Sequence, residues 1–167
     1  MHIGSDSVEC QKLQVHGHDM QYVDTDTYLG DKINRFGKNG PNIDTRVSRG
    51  LGLVTQIEHI LNIVSLGENY FRIALILRES MLVNSMLSSS NIWYGLKKKD
   101  IDRLESVDKL LLSKLLRTKS TTPYESYFLE LGILPLGVLI KSRRVKYLNY
   151  LVSRNQKETL YKFFKKQ

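Results

Sequence analysis

Residues 43–64 read IDTRVSRGLGLVTQIEHILNIV, and the fold turns on where their apolar side chains fall. Ile43, Val47, Leu51, Val54, Ile57, Leu61 and Val64 follow one another at steps of 4, 4, 3, 3, 4 and 3. Steps of three and four keep side chains on one stripe, so the spacing predicts a long amphipathic helix with all seven facing a core. Gly50 and Gly52 sit inside it, each weakening a helix by roughly 1 kcal/mol relative to alanine.

Upstream of this stretch, Gly37-Lys38-Asn39-Gly40-Pro41 is the clearest break in the chain, because glycine and proline both resist continuation of a regular element. Before the break, Leu13, Val15, Met20, Tyr22 and Leu29 mark short alternating runs, with Gly17 where a turn would fall. This predicts a hairpin of 12–16 with 19–23 and a third strand near 27–33. Three such strands are marginal alone and need a surface to pack on.

Downstream, Gly67 predicts the end of the first helix, and a second, more apolar helix runs from about Asn69 to Leu87, stopped by Ser88-Ser89-Ser90-Asn91. A third covers about Asp100 to Leu116, with Ile101, Leu104, Val107, Leu111 and Leu115 inward and Lys109 and Lys114 outward. Thr122-Pro123-Tyr124-Glu125 carries a helix-start signal: a threonine cap, proline at the first helical position and a glutamate to reach back. Gly132 ends that helix and Pro135 opens the next, which places Leu139, Val145, Leu148 and Val152 inside and gathers Lys141, Arg143, Arg144 and Lys146 as a basic cluster. Asn155 and Glu158 repeat a cap-like pattern before Leu160 to Lys166. The expected fold is mainly α: a short β hairpin or three-strand unit over residues 1–40, then a helical bundle over 41–167.

At 167 residues the chain is long enough for one core, burying roughly 70% of the surface that its unfolded form exposes. With 41% apolar and 25% charged residues it has the composition of a folded, soluble domain. Cys10 is the only cysteine, so neither an internal disulfide nor a cysteine-built zinc site can form within the chain. The start, Met1-His2-Ile3-Gly4-Ser5-Asp6, has neither basic residues nor an apolar run, which points away from export and toward the nucleus or cytoplasm. Leu131 to Ile140 is the longest uncharged apolar stretch, about half the ~20 residues that a membrane span requires.

Charge is unevenly distributed. Residues 1–90 hold 8 Lys/Arg and 10 Asp/Glu, whereas 91–167 hold 17 and 7, so the net +8 comes from the second half. One reading is a polyanion partner such as RNA or DNA, since lysine and arginine displace counterions condensed on phosphates. The other is a solvated basic surface that aids solubility.

Polymerising chemistry needs two or more carboxylates around paired metal ions. Asp24 and Asp26 are the nearest pair; among threonines, they read first as a solvated acidic turn. His16 and His18, helped only by Cys10 and Asp19, fall short of the four ligands of a structural metal site, so hairpin-turn histidines are the simpler account. No catalytic residue, metal ligand or resident cofactor is assigned. The basic cluster near the C-terminal end is different, because Tyr147 and Tyr150 lie beside it and aromatic rings can stack on bases while cations meet phosphates. Those tyrosines read equally as half-buried core residues with their hydroxyls at the surface. Lys97-Lys98-Lys99 stands as a second phosphate contact or as a salt-bridged corner with Asp100 and Asp102.

Several strings in order extend this reading: Val15-His16-Gly17, Tyr28-Leu29-Gly30-Asp31-Lys32-Ile33, Asn42-Ile43 with Arg46 and Gly50, Leu77-Arg78-Glu79-Ser80, and Trp93-Tyr94-Gly95-Leu96. Asp100-Ile101, Leu104-Glu105, Val107-Asp108, Leu129-Glu130-Leu131-Gly132, Pro135 and Arg143-Arg144 with Tyr147-Leu148 follow. Together they resemble the region after the active-site motif in reverse transcriptases of non-LTR retrotransposons. The resemblance implies that residues 1–40 are the end of a palm, that Tyr28, Leu29 and Gly30 are similar to its primer grip, and that 41–167 resemble the thumb and connecting region. Those enzymes use magnesium; the Tyr-x-Asp-Asp motif and the other metal-binding aspartate of the family precede the matched region and are not in this chain. The resemblance therefore implies a fragment of an RNA-directed DNA polymerase that grasps RNA or DNA, as an RNA–DNA hybrid, without extending it. Its candidate contacts, which rest on charge and not on a matched motif, are Lys141, Arg143, Arg144, Lys146 and Tyr147. The alternative is a helical protein-interaction module whose Phe71 to Leu87 face seeks a missing partner such as the palm, or another copy of itself.

Overall fold

A computed structural model describes residues 14–15, 18–19, 23–28, 30–63, 67–93, 95–119 and 121–153. The chain is mainly helical, with short antiparallel strands ahead of the helices, as the hydrophobic spacing predicts. Strand β1 (Gln14–Val15) pairs antiparallel with β2 (His18–Asp19), within the hairpin expected of 12–16 with 19–23; Gly17, the expected turn, lies outside the described residues. The predicted single strand near 27–33 is instead a second hairpin. β3 (Thr25–Tyr28) pairs with β4 (Asp31–Asn34) in a separate two-stranded sheet, with Tyr28 opposite Asp31. The chain reverses at Gly30, whose φ of 84° is open to glycine without the Cβ clash that other residues meet.

Helix α1 (Gly40–Ile63) is the predicted stripe, starting at the Gly-Pro break. Ile43, Val54, Ile57 and Leu61 are buried and Val47 packs against them, but Leu51 is turned to solvent and Val64 lies outside the described residues. The position facing the core at that level is Gly50. A Cβ built there would stand 2.8 Å from Met86 Sδ and 3.0 Å from Val107 Cγ1. The glycine thus gives up helix propensity so that α1 can approach its neighbours closely. Gly52 meets nothing and has no such role.

A 3₁₀ turn (Gly67–Asn69) leads into α2 (Tyr70–Leu77), which runs on through a π-helical turn (Arg78–Val83) into α3 (Asn84–Met86). The predicted second helix is therefore one nearly continuous element with a bulge in its middle. A second 3₁₀ turn (Ser90–Ile92) follows, then α4 (Lys98–Leu115), which packs along α1. α4 buries Leu104, Val107, Leu111 and Leu115 as expected, and adds Leu112 and Asp108. Helix α5 (Tyr124–Leu131) begins one residue later than the sequence suggests, with Pro123 as its extended N-cap and no side-chain cap. Gly132 ends it at φ 62°, its N–H bonded to Phe128 O at 2.9 Å. Helix α6 (Leu136–Ser153) follows Pro135. Among the described residues, no helix is long and apolar enough to cross a membrane.

Beneath the bulge lies a buried ion pair. Arg78 Nε and Nη2 donate to Asp108 Oδ1 and Oδ2 at 2.7 and 2.6 Å, with the two side chains 3% and 0% exposed. The Tyr124 hydroxyl donates to Asp108 Oδ2 at 2.5 Å, and Arg78 Nη2 also reaches Leu134 O at 3.4 Å. Burial and the Asp108 charge both push the Tyr124 hydroxyl's pKa well above its ordinary value, so it remains a donor. A second network fastens the hairpin to the helices: Arg46 donates to Ser85 O at 2.8 Å and pairs with Asp31 at the start of β4. Burial alone would raise the Asp31 pKa, but hydrogen bonds from Ser89 and Arg46 and the arginine's charge hold it below its ordinary value.

Two outcomes follow for stability. Gly50→Ala gains about 1 kcal/mol of helix propensity but overpacks Met86 and Val107 at about 1–3 kcal/mol, so its thermal midpoint falls, whereas Gly52→Ala raises it. Equal shifts in the two variants would refute the close-approach role. Asp108→Asn leaves the Arg78 charge buried without its counter-charge and lowers unfolding free energy in urea by about 3–5 kcal/mol; replacing both partners by apolar residues costs less.

Candidate nucleic-acid interface

The candidate site is built on α6, and its geometry is set by which face of that helix turns inward. Leu136, Gly137 and Ile140 are buried, and Leu139 packs against the core. The Gly137 N–H donates to Glu105 Oε1 at 2.9 Å, tying the first turn to α4. Burial raises the Glu105 pKa, and the bond from Gly137 partly opposes that rise. Further along, the inward stripe continues at Arg143, Tyr147 and Leu151, at steps of 3, 4 and 4 from Ile140.

The expectation that Val145, Leu148 and Val152 face a core is overturned. They are 54%, 43% and 56% exposed, and Val138 is exposed with them on the same stripe. The reason is register: a helix can turn only one face to the body, and Leu136, Ile140, Arg143 and Tyr147 already occupy it.

The five residues proposed for nucleic-acid contact are accordingly separated. Arg143 points back to the body: Nη1 donates to Leu87 O at 2.8 Å and Nη2 to Asn84 Oδ1 at 2.9 Å. It finishes the C-terminal end of α3 and is not a free phosphate contact. Lys141, Arg144 and Tyr147 come together along one groove of about 420 Å³, with Val145, Leu148 and Leu151 as its apolar lining and Asn91 on the opposite wall. Lys146, five residues from Lys141, is turned about 140° away around the helix and does not line the groove. Among the described residues, none of Lys141, Arg144 and Lys146 forms a salt bridge. The Tyr147 and Tyr150 rings stack with centroids 6.3 Å apart at 25°. Asn91 was legible in sequence only as the end of a serine-rich stop; its place in the groove comes from the packing of the second 3₁₀ turn against α6.

The other sequence candidates lie on the hairpins. Tyr28 is 65% exposed beside the β3–β4 turn that Gly30 makes, and Leu29 lies outside the described residues. The carboxylates of Asp24 and Asp26 serve the local hairpin: Asp24 Oδ1 accepts from Arg35 Nη1 at 3.1 Å, and Asp26 Oδ1 from the Thr27 N–H at 2.7 Å. Cys10 and His16 lie outside the described residues, as do Asn155, Glu158 and the Leu160 to Lys166 segment. No known family model, curated protein or solved structure matches the chain.

Separation of the two adjacent arginines is directly measurable. Arg143→Ala removes bonds to Leu87 and Asn84 and lowers stability by about 1–3 kcal/mol, whereas Arg144→Ala leaves the melting temperature within error. Comparable loss in both would place the two side chains in equivalent environments and contradict this geometry.

Proposed function

We propose that the chain binds RNA or DNA through the α6 groove, as a helical fragment similar to the thumb and connecting region of a non-LTR retrotransposon reverse transcriptase, and does not by itself extend a strand. The observation that carries the binding half is the groove itself, where Lys141 and Arg144 stand without an acidic partner among the described residues beside the Tyr147 ring. Unpaired cations lose nothing internal when they meet phosphate, and they gain the entropy of released counterions. The Tyr147 ring, which lines the same groove, suits contact with an unstacked base, at about 1–3 kcal/mol per base. Sequence-tolerant binding follows, since phosphates and ring stacking carry little base information. The fragment half rests on the ordered strings from Val15 to Leu148, and polymerisation would require carboxylates that hold paired metal ions at the growing end.

A second reading rests on a separate observation. Val138, Val145, Leu148 and Val152 form an exposed apolar stripe at heptad-like spacing, the pattern of a helix that pairs with another helix. It stands beside the Phe71 to Leu87 face that the sequence offered for this purpose, where Ala74, Leu82, Val83, Met86 and Leu87 are in the core but Phe71 and Ile76 remain exposed. Under this reading α6 is a protein-docking helix, and nucleic acid would not compete for it.

Fluorescence anisotropy with an RNA–DNA hybrid at increasing salt separates the two. Binding weakens linearly on a log–log plot, and Lys141→Ala with Arg144→Ala reduces the slope by about 2, roughly 0.9 for each lost phosphate contact. Absence of binding at low salt, together with concentration-dependent self-association unaffected by the hybrid, would sink the first reading in favour of the second.

A further inference from the structure

A second basic surface lies away from α6, where the chain enters α1 and α4. Gly37, Lys38, Asn39 and Gly40 face Gly95, Lys97, Lys99 and Asp100 across a cleft of about 370 Å³, with Asp44 and Arg103 completing its wall. Residues almost 60 positions apart are thus brought together by the packing of α1 on α4.

The charges in this cleft do not cancel. Asp44 Oδ1 is already taken by Arg103 Nη2 at 2.6 Å, and Asp100 Oδ2 accepts the backbone N–H of Lys97 at 3.2 Å. Asp100 is buried, closing the first turn of α4, so it does not reach out to the lysines as a salt-bridged corner would require. Among the described residues, Lys38, Lys97 and Lys99 form no salt bridge, and the Lys38 ammonium lies over the Phe36 ring at 5.3 Å from its centroid. Four cations therefore face two carboxylates, and a concave surface concentrates the resulting field more than a flat one does. Gly37, Gly40 and Gly95 leave the space above their Cα atoms open, so a ligand can lie close to the backbone there.

We infer that this cleft binds a phosphoryl group, with Lys38, Lys97 and Lys99 supplying charge to its oxygens and the glycine-lined walls admitting the group between them. A compact dianion or a phosphodiester fits better than a carboxylate, because three separate ammonium groups match an ion with several equivalent oxygens. The volume is of the order of a small-ligand site. The inference does not depend on the α6 groove, and its test separates the two.

The experiment is a backbone amide NMR titration of the full chain with inorganic phosphate, with sodium chloride matched for ionic strength as the control. Saturable shifts at Lys38 to Gly40 and Gly95 to Asp100 are expected, weakened at least tenfold in Lys97→Gln with Lys99→Gln and again in Lys38→Gln. They persist in Lys141→Ala with Arg144→Ala, so loss of the α6 reading alone would leave them intact. Repeating the titration with adenosine monophosphate and with a short oligothymidylate identifies the source: tighter binding of the mononucleotide marks a nucleotide site, and tighter binding of the oligomer marks a backbone contact. Shifts that fail to saturate, match those of chloride, or survive unchanged in both cleft variants of a folded chain overturn the proposal.

Discussion

The helical body depends on the pairing of Arg78 with Asp108. A guanidinium and a carboxylate removed from water together are stable only if their geometry is good and their remaining hydrogen-bonding capacity is met. Both conditions hold here: two parallel N–H···O bonds join the pair, Tyr124 supplies a third bond to the carboxylate, and Leu134 O lies near the guanidinium. These partners come from the bulged helix, from α4, from the start of α5 and from the segment before α6. One buried pair therefore fixes the relative register of four parts of the chain, which apolar contacts alone would allow to slide. Burial of Arg78 also favours its neutral form, yet the Asp108 carboxylate outweighs that tendency and keeps it charged.

Other cross-element bonds repeat this logic toward the edges. Arg46 draws the β4 end of the hairpin onto α1 and α3, Glu105 receives the first turn of α6, and the Thr118 hydroxyl meets the Tyr127 hydroxyl at 2.6 Å to hold the loop after α4 against α5. Arg46, Gly50, Arg78, Glu105, Asp108 and Arg143 all occur in the strings that carry the resemblance to reverse transcriptases. In this structure each serves contact between elements. Lys38, Lys97, Lys99, Lys141 and Arg144, which form no salt bridge among the described residues, lie mostly between or beside those strings.

Periodicity made the helical class legible, because Ile43, Val54, Ile57 and Leu61 have no soluble arrangement other than one stripe against a core. The same rule located α4, and Gly132 located the end of α5. It failed at Leu51 and along the outer half of α6, for a shared reason: hydrophobicity identifies candidates for burial but not which stripe wins when another is closer to the body. At Leu51 the winner was a glycine, read from sequence only as a weakness. Along α6 it included an arginine, read as a phosphate ligand. The basic groove was half legible, since Lys141, Arg144 and Tyr147 could be named, but Asn91 and the diversion of Arg143 required the packing of distant turns. The cleft around Lys38 and Arg103 was legible on one wall only, where Lys97-Lys98-Lys99 could be named as a phosphate contact; that Gly37 to Gly40 face it could not be read, because the two walls are far apart in the chain.

The π turn at Arg78–Val83 has one more residue than an α-helical turn of the same span. Geometrically it is one extra residue taken up by a widened turn, so the helix continues into α3 without a break. Excising one residue between Arg78 and Val83 would restore ordinary helical bonding locally and leave the helix on either side in nearly its present rotation, because the widened turn already takes up the extra residue. The cost of such a deletion would fall within the turn itself, on the approach of the Arg78 guanidinium to Asp108, and not on the packing of the flanking helices.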